Sequence, residues 1–258
     1  MTLNLLHRRI GYLLFIACLT LYAISCSKSS SEQITGSCRM LSSSGSLNKA
    51  FYTYDENHKI LYAMYIDPPN DTSWEKYHYI DGHVTFMIRI YRGTLGDTIF
   101  YTYDSGKYVE VYQHGNKQKY YYDNSGLLVK IERYDGASIT TSSDLIYDSR
   151  GNCIRYIKYY KSGSTSTWEE IADFEYGDKR SPYSSIGLPP LNSIGPEVGQ
   201  YLSPNNLTKM RIQFPQTNKH VFVYQYNAFN ENGYPTSFSM GDSLNHIISN
   251  ESIEYICP

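Results

Sequence analysis

The sequence lacks a strong excess of charge of either sign. Its 258 residues carry 23 lysines and arginines against 25 aspartates and glutamates, for a formal net charge of −2. Basic residues are not gathered into a stripe, which would be the electrostatic footprint of a nucleic-acid-binding surface. The composition therefore argues against nucleic acid as a partner.

Complete catalytic and metal-binding motifs are also missing. Gly241 to Leu244 spells GDSL, the nucleophile block of the GDSL esterases, but here one histidine, His246, and no Asp-x-x-His follow it. A serine without a positioned base is a poor nucleophile. His78 and His83 flank the turn Asp81-Gly82, yet no CxxC, HExxH or calcium loop supplies further ligands. We therefore expect no enzyme activity, no metal and no other cofactor.

A long apolar run occurs near the N-terminus and nowhere else in the sequence. Residues 7–9 are basic, Ile10 to Ile24 is mostly apolar, and Ala23-Ile24-Ser25-Cys26 resembles a lipobox. The run is short for a spanning helix and has the length of a signal-peptide core, although a transmembrane helix is the alternative. We predict a signal peptide at residues 1–25 and a lipid on Cys26.

The segment that follows is polar and has no hydrophobic period. Residues 27–37 read SKSSSEQITGS, a composition typical of a flexible tether. We predict a tether and entry segment over residues 26–49. The expected location is the outer membrane, held by the lipid anchor, facing either the periplasm or the cell surface.

Cysteine is scarce, at five residues. Cys18 lies in the predicted signal peptide and Cys26 would carry the lipid, which leaves Cys38, Cys153 and Cys257. An exported chain meets an oxidising compartment, so one pair is expected. Cys38 precedes the first predicted strands and Cys257 ends the last, and the two meet if the sheet curls. We predict a disulfide between Cys38 and Cys257.

Tyrosine is the residue in excess, at 28 against 9 phenylalanines and 2 tryptophans. The stretch Tyr120 to Tyr134 reads YYYDNSGLLVKIERY and predicts a β-hairpin. Its tyrosines alternate along a strand, Asp123 begins a turn, and Gly126 supplies the left-handed residue that reverses the chain. Apolar residues then recur at every second position from Leu127 to Ile131, which indicates a half-buried strand.

The same unit recurs through the chain at intervals typical of internal repeats. Asp55, Asp104, Asp123 and Asp148 each follow a tyrosine, and we attribute them to backbone capping of turns, not to calcium binding or glycoside hydrolysis. The other copies are YTYDENHKILY (52–62), YHYIDGHV (77–84), YTYDSGKYVEVY (101–112), LIYDSRGNCIRY (145–156), FEYGD (174–178) and YQYNAFNENGYPTSF (224–238).

The repeats predict an all-β domain over residues 50–258. We expect an antiparallel meander of successive hairpins, strongly twisted and curling toward an open barrel or wrap. Residues 177–206 hold five of the ten prolines, so we predict one long, irregular loop there that covers the core, with one or two helical turns. In the first copy Asn57 and His58 replace the glycine, and we expect Asn57 to tolerate the left-handed conformation.

Several motifs in a fixed order add a family resemblance. The YxYDxxG units resemble the tyrosine and aspartate repeats of the RHS/YD-repeat class. The set YGDKRSPY (176–183), GLP (187–189), NNLTK (205–209) and GYPT (233–236) is similar to a group of Bacteroidetes lipoproteins. This resemblance covers about residues 50 to 257. It implies a β-rich exported lipoprotein and no defined activity.

Two functions remain open on these observations. In the first, the protein is a non-enzymatic envelope lipoprotein that binds a glycan or a protein through sheet aromatics, with Trp74, Trp168 and Tyr183 as candidate contacts. In the second, it is a structural or assembly component of the outer membrane without a small-ligand site, whose sheet edge pairs with another chain. The tyrosines themselves have a structural alternative as cross-strand pairs.

Overall fold

The computed structural model describes residues 38–45, 48–67, 71–104, 108–162, 165–186, 195, 197–215, 219–242 and 246–257. The predicted signal peptide, Cys26 and most of the predicted tether lie outside these residues. Within the described chain, no helix combines the length and apolar character needed to cross a bilayer.

Sixteen antiparallel strands make up the described fold and close into a barrel. They are β1 (Arg39–Gly45), β2 (Lys49–Tyr54), β3 (Ile60–Asp67), β4 (Asp71–Ile80), β5 (His83–Tyr91), β6 (Thr94–Asp104), β7 (Tyr108–Gln113), β8 (Asn116–Tyr122), β9 (Leu128–Asp135), β10 (Ser138–Tyr147), β11 (Cys153–Ser162), β12 (Thr165–Arg180), β13 (Asn205–Gln213), β14 (His220–Phe229), β15 (Pro235–Asp242) and β16 (Ile247–Ile256).

Every strand pairs with its neighbours in sequence, and β1 pairs with β16 to close the sheet. The predicted meander of hairpins is confirmed, and its curl is complete. The sheet begins earlier than residue 50, because β1 lies in the segment that we assigned to the tether and entry. Its sequence, RMLSSSG, gives a weak strand signal, but it supplies the partner that β2 and β16 would otherwise lack. The predicted edge that pairs with another chain is absent from the described barrel.

A disulfide joins the two ends of the described chain. Cys38 and Cys257 are bonded, with their Cα atoms 4.1 Å apart. Closure of β1 on β16 brings the two cysteines together. Cys153 is a free, buried thiol at the start of β11, and burial raises its pKa to about 12.

The first tyrosine of each repeat points into the barrel. Tyr52, Tyr77, Tyr101 and Tyr120 are all less than 10% exposed, on alternate strands of the sheet. Leu145 occupies the equivalent position of the fifth repeat and is 5% exposed. These four tyrosines are thus explained by an interior layer of large side chains, because alternate residues of a strand face the same side.

The turns of the first, fourth and fifth repeats are capped by their own aspartates, Asp55, Asp123 and Asp148, as predicted. Asp123 Oδ1 accepts from the backbone N–H of Ser125 at 2.8 Å and of Leu127 at 2.9 Å. Gly126 takes φ +81° and Gly151 takes φ +83°. In the first repeat His58, and not Asn57, takes the left-handed conformation with φ 68°. That part of the prediction is wrong because the turn needs its positive φ three residues after the aspartate.

The described part of the long connection between β12 and β13 packs against the inner face of the barrel. Its described residues between 181 and 203, called the inserted segment here, include a 3₁₀ turn at Tyr183–Ser185 and α1 (Val198–Leu202). A Cβ atom at Gly199 would lie 2.6 Å from the Phe174 ring, so α1 sits directly on an inward-facing side chain of β12. Residues 177–180 and 205–206, predicted as loop, belong to β12 and β13.

Candidate ligand-binding site in the barrel lumen

A cavity of about 370 Å³, partly open to solvent, lies between the inserted segment and the barrel wall. Inward-facing residues of β1 to β3 line one side of it, and those of β13 to β16 line the other. Tyr183, Glu197, Gln200 and Tyr201 of the inserted segment line the third side. The volume falls within the range of pockets that hold small molecules.

Three pairs of aromatic rings surround this cavity. Tyr183 and Tyr201 of the inserted segment have ring centroids 4.6 Å apart. Tyr224 and Phe238, on β14 and β15, pack with centroids at 6.2 Å. Tyr52 and Tyr65, on β2 and β3, meet edge to face at 6.4 Å. Aromatic rings therefore face the cavity from all three of its sides.

Two carboxylates line the cavity. Burial raises the pKa of Glu251 on β16, and Ser249 donates a 2.5 Å hydrogen bond to its Oε1. A Cβ atom at Gly45 of β1 would overlap the Glu251 carboxylate, so the absence of a side chain there leaves room for it. The second carboxylate, Glu197, precedes α1. Burial raises the pKa of Tyr201, and the charges of Glu197 and Glu251 raise it further, so both carboxylates lie within electrostatic range of one phenol.

Two phenol groups at the cavity make no hydrogen bond. Tyr183 and Tyr224 are partly buried, and burial is the largest cause of their raised pKa values. Both side chains keep some accessible surface, and both line the cavity. Among the described residues neither hydroxyl has a donor or an acceptor. A ligand in the cavity would supply those partners.

The neighbouring part of the lumen is filled by side chains. Glu75 of β4 is 6% exposed and accepts hydrogen bonds from Tyr77 at 2.6 Å and from Tyr65 at 3.3 Å. It also forms an ion pair with Arg89 at 2.8 Å. Because these groups satisfy one another, this level of the described barrel is a packed polar core.

The two tryptophans predicted as ligand contacts lie on the outer face of the barrel and on different strands. Trp74 is 40% exposed on β4, and Trp168 is 36% exposed on β12. Trp74 belongs to an apolar row that crosses five strands. Trp168 pairs with Tyr159 on β11, and Tyr159 in turn pairs with the polar residue Ser142 on β10, so no apolar row continues there. The apolar row consists of Phe51, Met64, Trp74, Ile90 and Leu95, each paired with the next.

Of the three predicted contacts, only Tyr183 lines the cavity. Sequence reasoning missed its partners Tyr201, Glu197 and Glu251. Tyr52, Tyr224 and Phe238 stand at repeat positions, so the alternation of the strands could have placed them inside the barrel. No feature of the sequence predicts that the inserted segment lies inside the barrel. Apolar residues in a loop are equally consistent with a segment that covers the barrel from outside.

The histidines and the GDSL block behave as structural features where they are described. His78 stacks on Phe86 with centroids 4.1 Å apart, and His83 contacts Tyr103. The described residues contain no cluster of three metal-ligating side chains. In the GDSL block, Asp242 accepts a 2.9 Å hydrogen bond from the His246 backbone and so caps a turn. The serine and leucine of that block lie outside the described residues.

Comparison with known proteins supports the fold. No family model and no curated protein matches the sequence. A crystal structure of a porin-like protein from Bacteroides uniformis is similar over 85% of this chain and 96% of its own, with a TM-score of 0.50 and 13% identity. A porin-like protein from Bacteroides vulgatus matches over 85% and 99%, with a TM-score of 0.41 and 8% identity. The resemblance to YD-repeat lipoproteins stays a prediction.

Proposed function

We propose that this protein is a non-enzymatic cell-envelope lipoprotein that binds a small ligand inside its barrel. The observation that carries the proposal is the cavity, which combines aromatic walls with two carboxylates and with the phenol hydroxyls of Tyr183 and Tyr224. Apolar walls with a few converging polar groups are typical of small-molecule sites. The lipobox-like segment ending at Cys26 supports attachment to the outer membrane through a lipid.

A glycan fragment fits the mixture of groups in the cavity. Sugar rings present apolar faces that stack on aromatic rings and hydroxyls that pair with amides and carboxylates. Gln200 and Asn48 supply amides at the wall, beside the tyrosines. The glycan site proposed from the sequence would then lie inside the barrel and not on the outer aromatics.

A porin-like function, suggested by the similarity to the protein from Bacteroides uniformis, receives less support from this lumen than ligand binding does. The inserted segment occupies one part of the lumen, and the Glu75 network fills another. The outer face of β7 to β9 carries the ion pairs Glu110–Lys119 at 2.7 Å and Glu132–Lys130 at 2.6 Å. Such a face is suited to contact with water.

The test compares two substitutions on the same strand. Ser43 faces the cavity, whereas Ser44 is the next residue on β1 and faces outward. Full-length protein in a polyoxyethylene detergent, which contains no sugar, is screened on a glycan array, and hits are titrated by calorimetry. We expect Ser43→Phe to abolish binding and Ser44→Phe to leave it unchanged. Equal binding by both variants would place the binding site outside the cavity. An array without hits would reject the proposal that the ligand is a glycan.

The outer apolar row favours a second candidate function, which is docking of another envelope protein that has an apolar face. Phe51, Trp74 and Leu95 in this row are 38%, 40% and 69% exposed. Contiguous exposed apolar side chains commonly mark interaction sites. A photo-crosslinking amino acid placed at position 74 should capture a protein in cells, while the same label at position 168 should not. Equal labelling at both positions, or crosslinks to lipid alone, would reject this docking.

A further inference from the structure

The charge of the cavity points to the class of ligand. Glu197 and Glu251 contribute two carboxylates to its wall. Among the described residues that line it there is no lysine, arginine or histidine. Behind the wall, Glu75 forms an ion pair with Arg89 and accepts a hydrogen bond from the hydroxyl of Tyr65, which lines the cavity. The cavity is therefore negative and has no basic side chain to balance it.

The aromatic rings of the cavity add to the same preference. The face of a phenol ring carries negative potential, and a cation above it is attracted more strongly when water is excluded. Tyrosines approach the cavity from β2 and β3, from β14 and from the inserted segment. Rings from several sides together with carboxylates form the kind of cage that recognises alkylated ammonium groups.

We infer that the ligand of this cavity carries a positively charged amine, held between the tyrosine rings and the carboxylates of Glu251 and Glu197. This inference rests on the proposed function, because it requires that the cavity binds a ligand. The shared chemistry is an organic ammonium group, whether it comes from an alkylated amine, a polyamine or an amino sugar. An uncharged ligand of the same shape would leave the two carboxylates without a counter-charge.

The Glu251 side chain is positioned for this role by its surroundings. Ser249 holds Oε1, and Gly45 on the facing strand leaves space that the carboxylate occupies. Glu254 offers a matched control, because it lies three residues along β16 and pairs with Ser42 on the outer side of the barrel. Replacing either glutamate by glutamine removes one charge and keeps the shape.

The experiment uses pairs of probes that differ in charge. Calorimetry on the full-length protein in a polyoxyethylene detergent compares choline with 3,3-dimethylbutan-1-ol, putrescine with butane-1,4-diol, and glucosamine with glucose. We expect at least one amine to bind at least tenfold more tightly than its neutral partner. Glu251→Gln should weaken that binding at least tenfold, and Glu254→Gln should leave it unchanged.

The outcomes separate this inference from the proposed function. If glucose and glucosamine bind equally and Ser43→Phe blocks both, the cavity is a binding site but the inference is overturned. If no amine binds, or if Glu254→Gln weakens binding as much as Glu251→Gln, the inference is also overturned. Binding of an amine that survives Ser43→Phe would place the cationic site outside the cavity and reject the inference together with the proposed site.

Discussion

The Tyr147 hydroxyl on β10 donates a 2.7 Å hydrogen bond to the backbone carbonyl of Leu128 on β9. In four further strands a tyrosine hydroxyl likewise donates to a backbone carbonyl of the preceding strand, and Tyr54, Tyr176 and Tyr226, like Tyr147, occupy the third position of a repeat. Each bond ties one hairpin to the next near the capped turns, and together they form an interior layer of tyrosines. The other members are Tyr54 to Met40, Tyr176 to Cys153, Tyr226 to Leu207 and Tyr255 to Pro235.

The hydrogen bonds of this layer predict that a single tyrosine hydroxyl contributes measurably to the stability of the fold. Tyr147→Phe removes the donor and leaves the Leu128 carbonyl without it, at a cost of about 1 kcal/mol in the free energy of unfolding. The measurement is urea-induced unfolding followed by fluorescence. Tyr160→Phe is the control, because Tyr160 is 53% exposed and its hydroxyl should contribute little. Equal effects of the two variants would contradict the role of the layer.

The turn glycines should be sensitive to replacement for a conformational reason alone. Gly126 and Gly151 have positive φ, and an added Cβ would meet nothing within 4 Å at either site. We expect Gly126→Val and Gly151→Val each to cost about 1–2 kcal/mol, from the left-handed steric penalty. Gly126→Asn should cost less, because asparagine tolerates this conformation. Unchanged melting temperatures for both valine variants would show that the turns are drawn wrongly.

Those turns are the part of the fold that the sequence predicts best. Asp123 and Gly126 are three residues apart and act through bonds within one turn, so the local pattern is sufficient. Closure of the barrel depends on pairing between β1 and β16, more than 200 residues apart, and the serine-rich β1 has little apolar alternation. The succession of hairpins was enough to predict that the sheet curls. It did not show that β16 pairs with β1.

The site was less predictable than the fold. Tyr183 was singled out from its motif, yet the cavity around it depends on where the inserted segment packs. Glu251 lies within β16 between Asn250 and Ser252, and a carboxylate among polar residues is expected to be solvent-exposed. Its burial results from Gly45 on β1, a partner that only the closed barrel reveals. Trp74 and Trp168 were predicted as exposed, and both are, but exposure alone did not show which of them lies in an apolar row.

The disulfide should stabilise the barrel beyond the pairing of its end strands. It closes a loop with a sequence separation of 219 residues, for which the chain-entropy model gives about 5 kcal/mol. The double variant Cys38→Ser, Cys257→Ser should therefore unfold at lower urea concentration than the wild type. Thiol counting on unreduced, denatured protein should find Cys153 free besides the lipidated position. A peptide map linking Cys153 to either partner would contradict this pairing.

Lipid attachment at Cys26 is tested in cells. The basic start, the apolar run and the Ser25-Cys26 junction predict cleavage before Cys26 and acylation of its thiol. Cys26→Ala should leave an unprocessed precursor or release the protein from the membrane fraction. Cys18→Ala, within the apolar run, should be processed normally. Mass spectrometry that finds an intact residue 1, or a mature start without acyl mass, would reject the anchor.

The partly buried carboxylate of Glu251 predicts a specific dependence of stability on pH. Burial raises its pKa in the folded state, so the folded state binds more protons than the unfolded state between the ordinary and the raised pKa. Stability contributed by this group therefore rises as the pH falls through the raised pKa and levels off below the ordinary one.

Above the raised pKa the charged form is buried at a cost, and Glu251→Gln removes that cost while keeping an acceptor for Ser249. We expect Glu251→Gln to be more stable than the wild type at pH 7 in the absence of ligand, with the difference disappearing as the pH is lowered. Urea unfolding at a series of pH values measures this difference. Glu254→Gln should show no such trend, because its side chain is on the outer face. A wild type more stable than Glu251→Gln at pH 7 without ligand would show that the carboxylate already has a compensating partner.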